Sequence, residues 1–144
     1  MLKDMMLTRA MDDRMFAMQR QGKMSFYMKC RGEDAVSVGH AEALRDIDMV
    51  FPTYRQVGLL IARGCPMQDM MCQLLSNKGD ALQGKSLPIL FSFKDYGFFS
   101  VSGNLGTQLI QGVGWGMGPP TAREPAKTWP IPRTSVRCWP GRHG

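Results

Sequence analysis

Two short segments of this chain carry side chains that could do chemistry together. In Phe51-Pro52-Thr53-Tyr54-Arg55-Gln56, a tyrosine and an arginine follow a proline at what reads as a loop-to-helix junction. Exposed amides and the helix dipole favour an anion at such a point, so the Arg55 guanidinium could clamp a diphosphate and Tyr54 could add a hydroxyl donor. In Ser102-Gly103-Asn104-Leu105-Gly106-Thr107-Gln108, hydroxyls, amide side chains and backbone carbonyls offer the oxygen ligands that suit a hard cation. Taken singly, each segment is more readily an ordinary loop, because motifs this short recur by chance.

Other reactive residue types point to packing. The cysteines Cys30, Cys65, Cys72 and Cys138 form no CxxC pair, and neither His40 nor His143 stands at zinc-like spacing from them. Buried reduced thiols are the expectation. His40 has only Glu42 nearby and reads as a surface or packing histidine, and Glu33-Asp34 reads as a first-turn partner of a helix dipole. The methionines fall at helical intervals and belong to helix faces.

The elements that must position the two segments follow from periodicity. Leu7, Met11, Met15 and Met18 step by three and four through residues 2–20, an amphipathic helix with Asp12, Asp13, Arg14 and Arg20 on its polar side, closed by Gly22. It opens without a visible cap, which suggests an upstream segment. Residues 25–28 read as a short extended piece. A second helix runs from Gly32 to about Leu44, and its small residues Ala35, Gly39 and Ala43 would admit a neighbouring helix. Asp46-Ile47-Asp48 is a turn. The next helix carries Tyr54, Arg55, Leu59, Leu60 and Ile61 and ends at Gly64. Pro66 stands in the first turn of another, whose apolar face is Met67, Met70, Met71, Leu74 and Leu75. Residues 77–102 form a long ordered loop, its aromatic content favouring a functional role, and a glycine-spaced helix follows from Thr107 to Met117.

At Gly118-Pro119-Pro120 the composition changes. Six of the nine prolines and two of the three tryptophans lie beyond Met117, without helical or strand periodicity. The same stretch holds Arg123, Lys127, Arg133, Arg137 and Arg142 against Glu124 alone, so most of the net charge of +6 resides there. The body, 1–117, is close to neutral, which removes basicity as a sign of a polyanion partner. No apolar run is long enough for a membrane span, and no apolar signal core opens the chain.

In order and context the segments become specific. Gln19-Arg20-Gln21-Gly22-Lys23-Met24-Ser25-Phe26-Tyr27, Gly32-Glu33-Asp34-Ala35, Val50-Phe51-Pro52-Thr53-Tyr54-Arg55, Gln73-Leu74-Leu75-Ser76-Asn77 and Ser102-Gly103-Asn104-Leu105-Gly106-Thr107-Gln108 together resemble the N-terminal part of bacterial alpha subunits of the branched-chain 2-oxo acid (2-oxoisovalerate) dehydrogenase component. The resemblance implies a thiamine-diphosphate-dependent oxidative decarboxylase that passes the acyl group to a lipoyl acyltransferase. It implies a beta-subunit partner in a two-alpha, two-beta assembly, a cytoplasmic setting, and neither nucleic acid nor membrane as partner. The family's cofactor contacts map onto Tyr54 and Arg55 for the diphosphate, and onto Gly103 and Leu105 through backbone atoms. Its potassium loop maps onto Ser102, Asn104, Thr107 and Gln108. The Gly-Asp-Gly motif and later Asn that hold magnesium in the family have no counterpart in this sequence.

The intact family has an α/β thiamine-diphosphate-binding fold. Here residues 1–117 correspond to its N-terminal part, and 118–144 read as a Pro/Arg-rich tail outside the family, translated out of frame and disordered. The expectation is a mostly α-helical fragment with uncovered apolar faces, inactive by itself. Two other readings compete: a cofactor-incompetent subunit that only binds the beta partner, and a small basic module for nucleic acid or protein. A fragment with uncovered faces should be marginal when expressed alone, giving a weak near-ultraviolet dichroism signal and a broad thermal transition; a sharp transition with a strong signal contradicts it.

Overall fold

A computed structural model of the chain describes residues 1–118, and every regular element in that span is helical. In chain order these are α1 (Leu2–Arg20), α2 (Asp34–Ala43), α3 (Val57–Ala62), α4 (Met67–Leu74) and α5 (Thr107–Met117), with a 3-10 turn at Lys94–Tyr96. Among the described residues, β-pairing is limited to isolated bridges of Phe98 with Val50 and with Phe93. The fragment is thus mostly helical, as expected. The tail expected to be disordered lies, from residue 119 on, outside the described residues.

Helix α1 spans the expected residues but buries a different face. Thr8, Met11, Asp12 and Met15 turn inward at the helical spacing, whereas Leu7 is exposed and Met18 only partly covered. The reason is Asp12, which is 4% exposed and accepts hydrogen bonds from the Tyr27 hydroxyl at 3.0 Å and the Cys30 amide at 2.8 Å. A carboxylate can leave water only if donors replace it, and the connection between α1 and α2 supplies both. Residues 25–28 therefore form an irregular strap over α1, and burial with the Asp12 charge nearby holds the Tyr27 hydroxyl well above its ordinary pKa.

The expected small-residue stripe of α2 is not its contact face: Ala35 and Ala43 are exposed, and α2 buries Asp34, Ser37 and Val38. The close approach is made by the opposing helix. At Gly58 of α3, an added Cβ would meet Ser37 Cβ at 3.2 Å, Thr8 Oγ1 at 3.3 Å and Val38 Cγ2 at 3.4 Å. A glycine on α3 lets α1 and α2 present full side chains. Asp34 also bonds Arg9 of α1, Nε to Oδ2 at 2.5 Å, and accepts the Gly32 amide at 3.2 Å.

Three helices stop in the same way. After α1, α3 and α4 the chain turns left-handed at Gly22 (φ 71°), Gly64 (φ 78°) and Ser76 (φ 47°). The next amide then reaches back into the last turn: Lys23 to Met18 O, Cys65 to Leu60 O and Asn77 to Cys72 O. Pro66 sits one position before the first turn of α4, as its N-cap, and the expected apolar face holds, with Met70 and Leu74 buried and Met67, Met71 and Leu75 packed beside them.

Residues 77–102 are ordered by side chains that bind backbone. The Asp80 carboxylate accepts the amides of Leu82 and Gly84 at 2.9 and 2.7 Å, and buried Gln73 donates from Nε2 to Leu90 O at 2.9 Å. Phe91 and Phe98 are fully buried, each contributing about 1.5–3 kcal/mol of apolar burial, so these aromatics serve the core. Of the described cysteines, Cys30 and Cys65 are buried and Cys72 partly so, and none is in a disulfide. Burial pushes the Cys30 thiol up to about 12 and the Cys65 thiol up as well.

Asp12→Ala orphans two buried donors and should cost about 2–4 kcal/mol in denaturant unfolding, against about 1 kcal/mol for Tyr27→Phe. The hydrogen bond from Arg9 holds Asp34 below its usual carboxylate range, so Asp34 contributes stability above its ordinary pKa of about 4 and loses it as pH falls through the folded value. In pH-dependent melting, Asp34→Asn should be less stable than the parent at pH 6, and the gap should close at low pH.

Candidate functional site

The two chemistry-bearing segments meet through a short parallel pairing. The Val50 amide donates to Gly97 O at 2.7 Å, and the Phe99 amide donates to Val50 O at 2.9 Å. Immediately after it, the Phe51 and Phe99 rings pack with centroids 5.1 Å apart, and Trp115 of α5 meets Phe51 edge-on at 6.3 Å. From this junction one segment runs on to Tyr54 and Arg55, and the other to Ser102 through Gln108. Both therefore start from one fixed register.

Tyr54 and Arg55 lie in a turn before α3, and not on the helix as the sequence suggests. The Gln56 side chain is the cause: its Oε1 accepts the Thr53 amide at 3.0 Å, closing a turn over 53–56 with Gln56 as N-cap, so helical bonding begins at Val57. Arg55 is half-buried, donates to Lys29 O at 3.2 Å, and lies 6.0 Å from the centroid of the Tyr54 ring. It forms no ion pair with a carboxylate among the described residues, and the Tyr54 hydroxyl has no hydrogen-bond partner there. A half-buried cation without a counter-charge beside an unused hydroxyl donor is a fitting environment for a phosphate-bearing anion.

The second segment is a tight loop entering α5. Ser102 is its hub: Oγ accepts the Asn104 amide at 3.2 Å and O accepts Gln108 Nε2 at 3.3 Å. Gly106, at φ 90°, makes the left-handed corner at the N-cap of α5. Ser102, Thr107 and Gln108 are partly buried, while Gly103, Asn104 and Leu105 are exposed, leaving the backbone of 103 and 105 open. The loop offers only neutral oxygens, since no acid occurs between Gly97 and Gly118. That donor set fits a monovalent cation better than magnesium, which usually takes carboxylates. No cluster of three His, Cys, Asp or Glu that could hold a metal ion exists among the described residues.

Helix α5 has no buried residue and no charge, with Leu109 and Ile110 each 76% and Met117 82% exposed. Sequence reading alone overlooked Arg63, whose guanidinium reaches three backbone carbonyls near the junction. Its position in the last turn before Gly64 was its only signal, and basic residues are common at helix C-termini.

Comparison with known proteins covers most of the chain. The model of the family described as dehydrogenase E1 component matches residues 2–128. The chain is 60% identical over 116 residues to the 2-oxoisovalerate dehydrogenase subunit alpha of Pseudomonas aeruginosa, covering 81% of this chain and 28% of that protein. It is 39% identical over 112 residues to the mitochondrial 2-oxoisovalerate dehydrogenase subunit alpha of Bos taurus, covering 78% of this chain and 25% of the relative. With subunit alpha 2 of Arabidopsis thaliana the identity is 37% over 111 residues, covering 77% and 24%. The chain thus spans only 24–28% of the length of these relatives. No described helix is long and apolar enough to cross a membrane.

Proposed function

The chain belongs to the dehydrogenase E1 component family, and on that premise we propose that it supplies the alpha-subunit side of a thiamine-diphosphate site in an oxidative decarboxylase of branched-chain 2-oxo acids. The observation that carries this reading is Arg55, half-buried, without a carboxylate partner and over the ring of Tyr54, whose hydroxyl is unused among the described residues. When bound, thiamine diphosphate supplies the carbon nucleophile for decarboxylation, chemistry that no side chain provides.

In this reading Arg55 neutralises and orients the diphosphate while Tyr54 donates its hydroxyl. The open backbone at Gly103 and Leu105 contacts the ring portion of the cofactor. Ser102, Asn104, Thr107 and Gln108 hold a potassium ion that stiffens the loop. Magnesium would need carboxylate ligands from outside the described residues, so 1–117 alone bind the cofactor weakly, and the Pro/Arg-rich stretch that begins at 118 is family-like only as far as residue 128. The partners are a beta subunit, in a two-alpha, two-beta assembly, and a lipoyl acyltransferase that accepts the acyl group, all in the bacterial cytoplasm. The uncharged, exposed α5 supports a reading in which this chain is completed by other polypeptide surface.

Calorimetric titration of thiamine diphosphate with magnesium into the chain co-purified with a beta subunit tests the proposal. Losing a charge-assisted contact of about 1.4 kcal/mol weakens binding about tenfold, so Arg55→Gln should bind at least that much more weakly than the parent, and Arg31→Gln should bind like it. Equal affinity for Arg55→Gln and the parent overturns the assignment.

A further inference from the structure

We infer that Arg63 is the positioning residue of the candidate site, the clasp that holds the Tyr54-Arg55 segment and the Ser102–Gln108 loop in one register. Nη1 donates to Asp48 O at 2.8 Å and to Tyr96 O at 2.9 Å, and Nη2 donates to Arg45 O at 3.3 Å. Asp48 and Tyr96 each lie two residues before a member of the Val50–Phe98 bridge, one on either strand of the pairing. A single planar fork therefore ties together the two segments just upstream of where they join. Arg63 itself caps the C-terminus of α3, the helix that starts directly after the Tyr54-Arg55 turn, so all three connections to the site converge on it.

The surroundings are shaped for this side chain. At Gly97, φ 63°, an added Cβ would collide with Arg63 Nη1 and approach Asp48 O at 2.8 Å, so the missing side chain leaves the fork its place between the segments. No carboxylate forms an ion pair with Arg63 among the described residues. Its partners are neutral carbonyls, and what it supplies is geometry: rigid donors at fixed angles, which a lysine's single ammonium reproduces only in part. Arg63 touches neither Tyr54 nor Arg55 through any of these bonds, and acts on them through the register of Val50 against Phe98.

The inference rests on the diphosphate reading for its functional consequence, and the test separates the two. Amide exchange and titration with inorganic diphosphate, both followed by NMR on the full chain, compare the parent with Arg63→Met, Arg63→Lys and Asp34→Asn, the last a destabilised control that makes none of the junction's hydrogen bonds. In Arg63→Met the Val50 and Phe99 amides should exchange at least tenfold faster while the Met15 amide of α1 keeps its rate. The diphosphate response at Arg55 should weaken several-fold, Arg63→Lys should recover part of both effects, and Asp34→Asn should leave the Arg55 response unchanged. Acceleration of Val50, Phe99 and Met15 together, or an undiminished Arg55 response in a parent that binds diphosphate, overturns the positioning role. Selective acceleration at Val50 and Phe99 in a protein whose parent never binds diphosphate upholds the clasp and removes the diphosphate reading. If Arg63→Met does not fold, the same comparison is read from Arg63→Lys.

Discussion

Residue 58 sits where three helices converge, and even a methyl group there would press on its neighbours. A Cβ added there would crowd Ser37 of α2 at 3.2 Å and Thr8 of α1 at 3.3 Å, with Val38 in contact at 3.4 Å. That absence lets the short α3 lie against both longer helices, with Leu59 and Leu60 fully buried beside it. Six residues make a helix that cannot stand alone, so α3 owes its existence to this docking. Its two ends then set the rest: the Tyr54-Arg55 turn leads in, and Arg63 and the left-handed Gly64 lead out.

Without a sheet among the described residues, the connections are held by single side chains that bind backbone. Asp12 secures the strap after α1, Asp80 curls the loop after α4, Gln73 holds its middle, and Arg63 joins 45–48 to 96. Each works because a charged or amide group removed from water must find partners, and nearby main-chain groups also need them. Fixing so much irregular backbone through so few anchors makes the region sensitive to single polar substitutions. A sheet would share the same load over many ladder bonds.

What the sequence revealed were the features written in local periodicity or in turn chemistry. Helices α1, α4 and α5, the 46–48 turn and the glycine stops follow from those signals. The faces were harder to read. Counting apolar residues on α1 promotes Leu7 and dismisses Asp12, because nothing local to α1 shows that Tyr27 and the Cys30 amide will arrive to satisfy a buried carboxylate. On α2 the small residues suggest the contact, whereas the space is created by a glycine on the facing helix. For the site, residue types and spacing singled out Tyr54, Arg55 and the 102–108 loop, and the chain's resemblance to its family gave them their meaning. Their backbone setting was misread, since Gln56 draws Tyr54 and Arg55 into a turn. Arg63 was missed because its role depends on carbonyls from two distant segments.

Trp115 is the one indole in the described part of the chain, and it rests edge-on against Phe51, the ring that also packs at a tilt on Phe99. The aromatic triad thus spans α5, the segment leading to Arg55 and the segment leading to Ser102. Once Trp129 and Trp139 are replaced, the indole in that place is a built-in optical gauge of the junction: its emission responds to how closely the three pieces are drawn together, without any label being attached.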